Sequence, residues 1–363
     1  MLVGFSRADA VSARPSRRHN EASALGRVRS PRAYHRASAP APMPALSLRL
    51  SRIALAGMVA WIALLFVPLG VAAGPAQEAM HLVLLAPLVL APMFLDASLG
   101  AAFGTPPRVL TAASWALVPG MAGAAASVVA PTGGVAGALA AVWLVPTGLL
   151  ALWALDRGLR QWRAGGLDAA EALGAAGWAM LPGGAVWLVL ARGGVETGYG
   201  ELVGVLTAAH FHYAGAFVAI WAGLLGRTLE PGRGFAALAA ALVAGFWGVV
   251  VGIVLSRGPL GGSWVETAGV VVLAAAAAAV GVVGVVRAGR FPDRKAGLMV
   301  AVSGGSLVLA MTLALYFHVG ARLGLRPPDF GWMVSRHGAL NAYGFGLWGA
   351  LGWRRLRPRP HSQ

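Results

Sequence analysis

Cysteine is absent from the 363 residues, which removes disulfides, thiolate metal sites, haem attachment through CxxCH and cysteine nucleophiles. Charge is scarce too: 12% of residues are Asp, Glu, Lys or Arg, against about 25% in soluble domains. Lysine is reduced to Lys295, and 13 acidic residues face 29 basic ones for a formal net charge of +16. A basic balance of that size raises nucleic acid as a partner. The placement of the arginines argues against it, because they lie in the N-terminal tail and in short loops between apolar runs. Phosphate-binding lysine loops, HExxH and EF-hand patterns are missing as well, which leaves nucleotide binding and the common metalloenzyme classes without support.

What remains is apolar. Hydrophobic residues make up 58% of the chain and mean hydropathy is +0.70, a composition of the membrane class. Residues 1–45 stand apart. They are basic and rich in Pro and Ser, with too little apolar surface to offset the entropy of ordering. Two readings fit them: a disordered tail resembling a transit peptide, or an over-extended gene whose translation starts at Met43. The first apolar run behind Arg49 and Arg52 is long enough to span and has no small-residue cleavage site.

A helix needs about 20 apolar residues to cross the hydrocarbon core. Runs bounded by Pro, Gly and charge predict an all-α polytopic bundle of ten spans near 53–73, 79–97, 109–130, 135–155, 172–191, 200–225, 235–255, 264–286, 297–319 and 333–352. They fill one domain over 46–355, followed by a cytoplasmic stub over 356–363. The positive-inside rule orients it N-in and C-in. Arg49, Arg52, Arg108, Arg157, Arg160, Arg163, Arg227, Arg233, Arg287, Arg290, Arg294, Lys295, Arg354, Arg355, Arg357 and Arg359 then fall inside, against Arg192, Arg257, Arg322 and Arg326 outside. Ten spans also accommodate five-plus-five inverted repeats of the transporter type.

Ionisable residues inside spans are costly and mark function by default. In this topology they gather in the outer half: His81, Glu201, His210 and His212, Glu266, His318, then Arg336, His337 and Asn341. Asp96 alone goes to the inner end, where it is expected as a surface cap of "DASLG". His210 and His212 lie 200° apart at about 100° per residue, so a regular helix cannot aim both at one point. His337 and Asn341 are i,i+4 and stack on one face. A polar pocket is therefore expected from His210, His212, Tyr213, His337 and Asn341, with Glu201 and Arg336 at its rim. Imidazole is the commonest metal ligand, so a metal ion on His210, His212 and His337, with His318, Glu201 or Glu266 completing the set, is one candidate occupant. Haem held from two helices is another. The bland alternative makes the histidines polar anchors between helices, worth about 0.6–2 kcal/mol each.

"HFHYAG" in the sixth span, "RHGALNAYGF" in the last and "LLAPLVLAPMFLD" in the second resemble the YndJ-like family of bacterial integral membrane proteins, over most of the chain from about residue 50. The resemblance implies a multi-pass protein of the bacterial inner membrane and marks His210, His212, Tyr213, His337, Asn341 and Phe345 as motif positions. It implies no particular chemistry. Three classes stay open on the residues: a transporter or sensor binding a small ligand, proton or metal; an enzyme acting on a lipid or isoprenoid with a histidine base; and an assembly protein without chemistry of its own. The bilayer is the one partner implied.

Overall fold

The computed structural model describes residues 44–71, 73–99, 107–165, 168–229, 233–256 and 263–356. The expected basic tail before Pro44, Met43 itself and the stub after Leu356 lie outside the described residues. Among the described residues every regular element is helical. Nine of these helices are long and apolar enough to cross a membrane: α1 (Ala45–Leu64), α2 (Pro75–Ser98), α3 (Arg108–Val129), α4 (Gly134–Arg163), α5 (Ala169–Arg192), α6 (Gly200–Thr228), α7 (Gly234–Leu255), α8 (Ser263–Arg290) and α9 (Arg294–Gly320). The tenth expected span also forms. It runs unbroken through Phe330–Ala339, Leu340–Leu347 and Trp348–Leu356, and is called α10. Ser335, Arg336, His337 and Asn341, with Arg354 and Arg355 near its end, leave it less apolar than the other nine.

Local chemistry sets several boundaries. The Asp168 carboxylate caps α5 by accepting from the Ala170 N–H at 2.9 Å, and Asp329 caps α10 by accepting from Trp332 N–H at 2.8 Å. Helix α2 opens on Pro75, whose missing N–H is unneeded in a first turn, behind Gly74 at φ 91°. Starting there, α2 is longer than the 79–97 run predicts. The stretch Ala130–Gly133 turns the chain between α3 and α4, so these are two spans.

Burial separates the centre of the bundle from its rim. The most apolar window of α2 is 89% buried and that of α6 is 67% buried, whereas α1 and α7 reach only 28% each. In the inverted repeat considered above, α2 and α7 would be counterparts. Their unlike surroundings remove the support for that arrangement.

Helices α2, α6 and α10 form a parallel central column, and the contacts between them advance together in number. The Tyr213 hydroxyl donates to Leu82 O at 2.7 Å, and Phe94 stacks on Phe217 at 5.1 Å. Trp221 meets Trp353 edge-on at 5.8 Å, and Arg227 donates to Ser98 O at 3.3 Å.

Each column helix contains a π-helical segment, at Ala86–Leu90, Phe211–Phe217 and Leu340–Leu347. In them the Ala91, Val218 and Trp348 N–H groups reach back five residues to Ala86, Tyr213 and Tyr343 O. Pro87 and Pro92 cannot donate in the α pattern, which accounts for the first. The three segments meet at Gly346, where a Cβ would stand 2.8 Å from a Leu90 methyl and 3.3 Å from the Tyr213 ring. Segments of this kind are frequent at functional sites.

Glycine also lets α1 approach the column. A Cβ at Gly57 would fall 1.8 Å from Leu88 O and 2.7 Å from its carbonyl carbon, both backbone atoms of the first π segment. Gly57→Ala is therefore expected to destabilise the protein by about 1–3 kcal/mol through displacement of α1. A thermal unfolding midpoint equal to that of the wild type in the same detergent would contradict the close approach.

The end of the bundle that carries Arg227, Arg354 and Arg355 is laced by ion pairs. Glu171 accepts from Arg227 at 2.8 Å and from Arg157, and Arg355 pairs with Asp293 at 2.9 Å. Asp96 corrects its expectation as a surface cap. It is fully buried and accepts from Arg354 Nε at 3.0 Å, while Arg354 also reaches the Ser51 hydroxyl at 2.6 Å.

Candidate functional site

The histidines lie at the other end, and their hydrogen bonds fix their tautomers. A backbone carbonyl only accepts, so a ring nitrogen bonded to one carries the proton. His210 Nδ1–H donates to Leu206 O at 2.6 Å, His212 Nδ1–H to Ala208 O at 2.7 Å and His337 Nδ1–H to Ala310 O at 3.0 Å. Each Nε2 therefore presents a lone pair. For His212 that lone pair accepts from the Trp143 indole N–H at 3.2 Å, and for His337 it accepts from Asn341 Nδ2 at 3.1 Å. Asn341 Nδ2 gives its second hydrogen to His337 O at 2.9 Å. His210 Nε2 has no partner among the described residues.

The two histidines of "HFH" point to different places, as 200° of helix phase demands. His212 is fully buried against α4 and α5, with Gly184 beneath it, where a Cβ would stand 2.3 Å from Nδ1. His210 faces the opposite way, exposed, into an open cavity of about 160 Å³. Ten residues into α6, the ring sits about 15 Å along the helix from its start. His337 lines the same cavity from α10, its ring centroid 6.5 Å from that of His210 and its plane tilted by 27°. Tyr213 and Asn341 also line it. The remaining wall is apolar, including Leu82 of α2, Val249 of α7, Leu273 of α8, Met311 of α9 and Val334 of α10.

Of the residues expected to form the pocket, His210, Tyr213, His337 and Asn341 come together and three do not. His212 is turned away by helix phase and held by Trp143. Glu201 is taken by the Thr132 hydroxyl at 3.0 Å and by Arg192 at 3.4 Å. Arg336 is exposed, one residue off the face that His337 shares with Asn341.

The metal set is corrected for the same reason. Among the described residues no three His, Asp or Glu side chains converge, and His318 is occupied by Thr267 at 3.2 Å with Glu266 at 3.9 Å. Zinc needs three or four ligands, and haem bound from two helices needs two free imidazole nitrogens. One free nitrogen fits neither.

The model of the YndJ-like protein family matches residues 81–345. The chain belongs to the YndJ-like family. The match takes in both histidine motifs, the first two π segments and all but the last two residues of the third. A curated relative, the uncharacterized membrane protein YndJ of Bacillus subtilis (strain 168), is 25% identical over 226 residues, covering 62% of this chain and 39% of its own length. The chain thus aligns with well under half of that relative. No solved structure matches.

This YndJ-like protein also holds a polar centre around a residue that in sequence is an ordinary loop arginine. Arg192, the last residue of α5, is fully buried. Its Nε donates to Ser127 O at 3.0 Å, and its NH2 donates to Gly70 O at 3.0 Å and Ala130 O at 2.6 Å. Its NH1 donates to the Thr132 hydroxyl at 2.8 Å and to Glu201 at 3.4 Å. All five guanidinium hydrogens are used. They tie the loop after α1 to the α3–α4 turn and to the start of α6. Trp143, which reads as one tryptophan among many near span ends, is the buried partner of His212. Apart from its place beside the "GG" that ends α5, nothing in the sequence distinguishes Arg192.

Proposed function

We propose that this membrane protein binds a small ligand in the cavity between α6, α8, α9 and α10, and acts as a transporter or a sensor. In this reading the histidine end faces outward from a bacterial inner membrane, and the arginine end is cytoplasmic. The distribution of arginine supports that orientation. The observation that carries the binding reading is His210: of the three imidazoles, among the described residues, it alone keeps an unused lone pair, and its exposed ring lines an open cavity of about 160 Å³, room for a small apolar molecule. His212 and Trp143 serve as a buried anchor instead.

The native absence of cysteine gives a direct test. His210→Cys and His212→Cys are each expressed in intact cells and treated with a small membrane-permeant maleimide, then with a charged impermeant one. The thiol introduced at position 210 is expected to react more than tenfold faster than the one at position 212. Glu196→Cys, in the loop before α6, is expected to react with the impermeant reagent from outside. Equal reactivity at 210 and 212 would remove the cavity. Reaction of position 196 only in inverted vesicles would reverse the orientation. A transporter further predicts that position 210 becomes reachable from both faces, a sensor from one.

A further inference from the structure

The wall of the cavity states what its occupant must offer. Four polar side chains line it, and every hydrogen they donate is already given to the protein: His210 Nδ1–H to Leu206 O, Tyr213 O–H to Leu82 O, His337 Nδ1–H to Ala310 O, and both Asn341 Nδ2 hydrogens to His337. Among the described residues no Lys, Arg, Asp or Glu lines the cavity. The lone pairs of His210 Nε2 and Asn341 Oδ1 remain unused among the described residues. The wall accepts hydrogen bonds and donates none.

Three classes of occupant fail on that ground. A carboxylate or phosphate would enter an apolar space with no donor and no cation to meet its charge, and an ammonium would find no carboxylate. A plain hydrocarbon would leave His210 Nε2 unsatisfied, wasting the one polar contact on offer. A neutral molecule with an apolar body and a hydroxyl satisfies both the surface and the lone pair.

We propose, building on the binding reading above, that the cavity takes a neutral hydroxyl-bearing amphiphile from the lipid phase, an alcohol or phenol whose O–H donates to His210 Nε2 while its body packs against Leu82, Leu273, Met311 and Val334. The imidazole is oriented for this by its bond to Leu206 O, which keeps the proton on Nδ1 and the lone pair toward the cavity. Asn341 Oδ1 stands ready as a second acceptor for a molecule with two hydroxyls.

The test uses the full chain in phosphatidylcholine nanodiscs, whose lipid carries no hydroxyl, and a long-chain alcohol bearing a photoreactive diazirine. Labelled peptides are read by mass spectrometry, with dodecanol, dodecanoate and dodecane as competitors. Labelling is expected on the cavity faces of α6 and α9, displaced by dodecanol and not by the other two. His210→Leu should weaken alcohol binding about fivefold, the worth of one net hydrogen bond, and His210→Gln, which restores an acceptor, should recover most of it. Two independent plugs, Ala314→Phe and Ala209→Phe, should abolish labelling. Competition by dodecane or dodecanoate equal to that of dodecanol, or indifference to His210→Leu, overturns the hydroxyl assignment while the cavity itself survives. Labelling that ignores both plugs overturns the cavity reading with it.

Discussion

Arg192→Leu is expected to be the most damaging single substitution in the bundle, lowering stability by about 3–5 kcal/mol. The side chain is fully buried, and the carbonyls of Gly70, Ser127 and Ala130 depend on it. Leucine fills much of the space but donates nothing, and a buried carbonyl left without a donor costs about 1–3 kcal/mol. Arg192→Lys is expected to recover little. An ammonium has three donors on a point charge, where the guanidinium spreads five across a plane wide enough to reach two separate backbone stretches and the side chains of Thr132 and Glu201. Denaturation in mixed micelles would measure both. A loss below about 0.5 kcal/mol for Arg192→Leu would show that water or rearranged backbone takes over the carbonyls.

At the opposite end, Arg354→Met is expected to cost about 2–4 kcal/mol, because fully buried Asp96 then loses the guanidinium 3.0 Å away. The informative result is the combination. If the charge pair is what matters, Asp96→Leu with Arg354→Met should be milder than Arg354→Met alone, since apolar replacements of both partners remove the desolvated charge as well as its attraction. A double-mutant cycle returning strict additivity would mean that the two act independently, with Arg354 serving mainly the Ser51 contact.

The span architecture was legible because bilayer thickness imposes a length, and helices α1 to α10 each answer to an apolar run. The site was legible in part. Helix phase alone separates His210 from His212, and i,i+4 spacing joins His337 to Asn341. The distant pairings were not legible. Trp143 and His212 are 69 residues apart, and Arg192 and Gly70 are 122 apart. No residue type announces either meeting. Glu201 was misplaced for the same reason: its depth suits a pocket, but Arg192 and Thr132 claim it from another side. The π segments left no mark of their own beyond Pro87 and Pro92, since what defines them is the choice of a carbonyl five residues back instead of four.

That choice has an evolutionary corollary. A π turn stores one residue more than an α turn, so a helix can lose a residue there and wind on as ordinary α-helix. Single-residue length differences between this chain and its cousins should therefore collect inside 86–90, 211–217 and 340–347, although these lie in the most tightly packed part of the molecule. Each such deletion would remove the surplus residue of the wide turn and leave the α-helix on either side facing as before, so His210 and His337 upstream and Trp221 and Arg354 downstream would all keep their places.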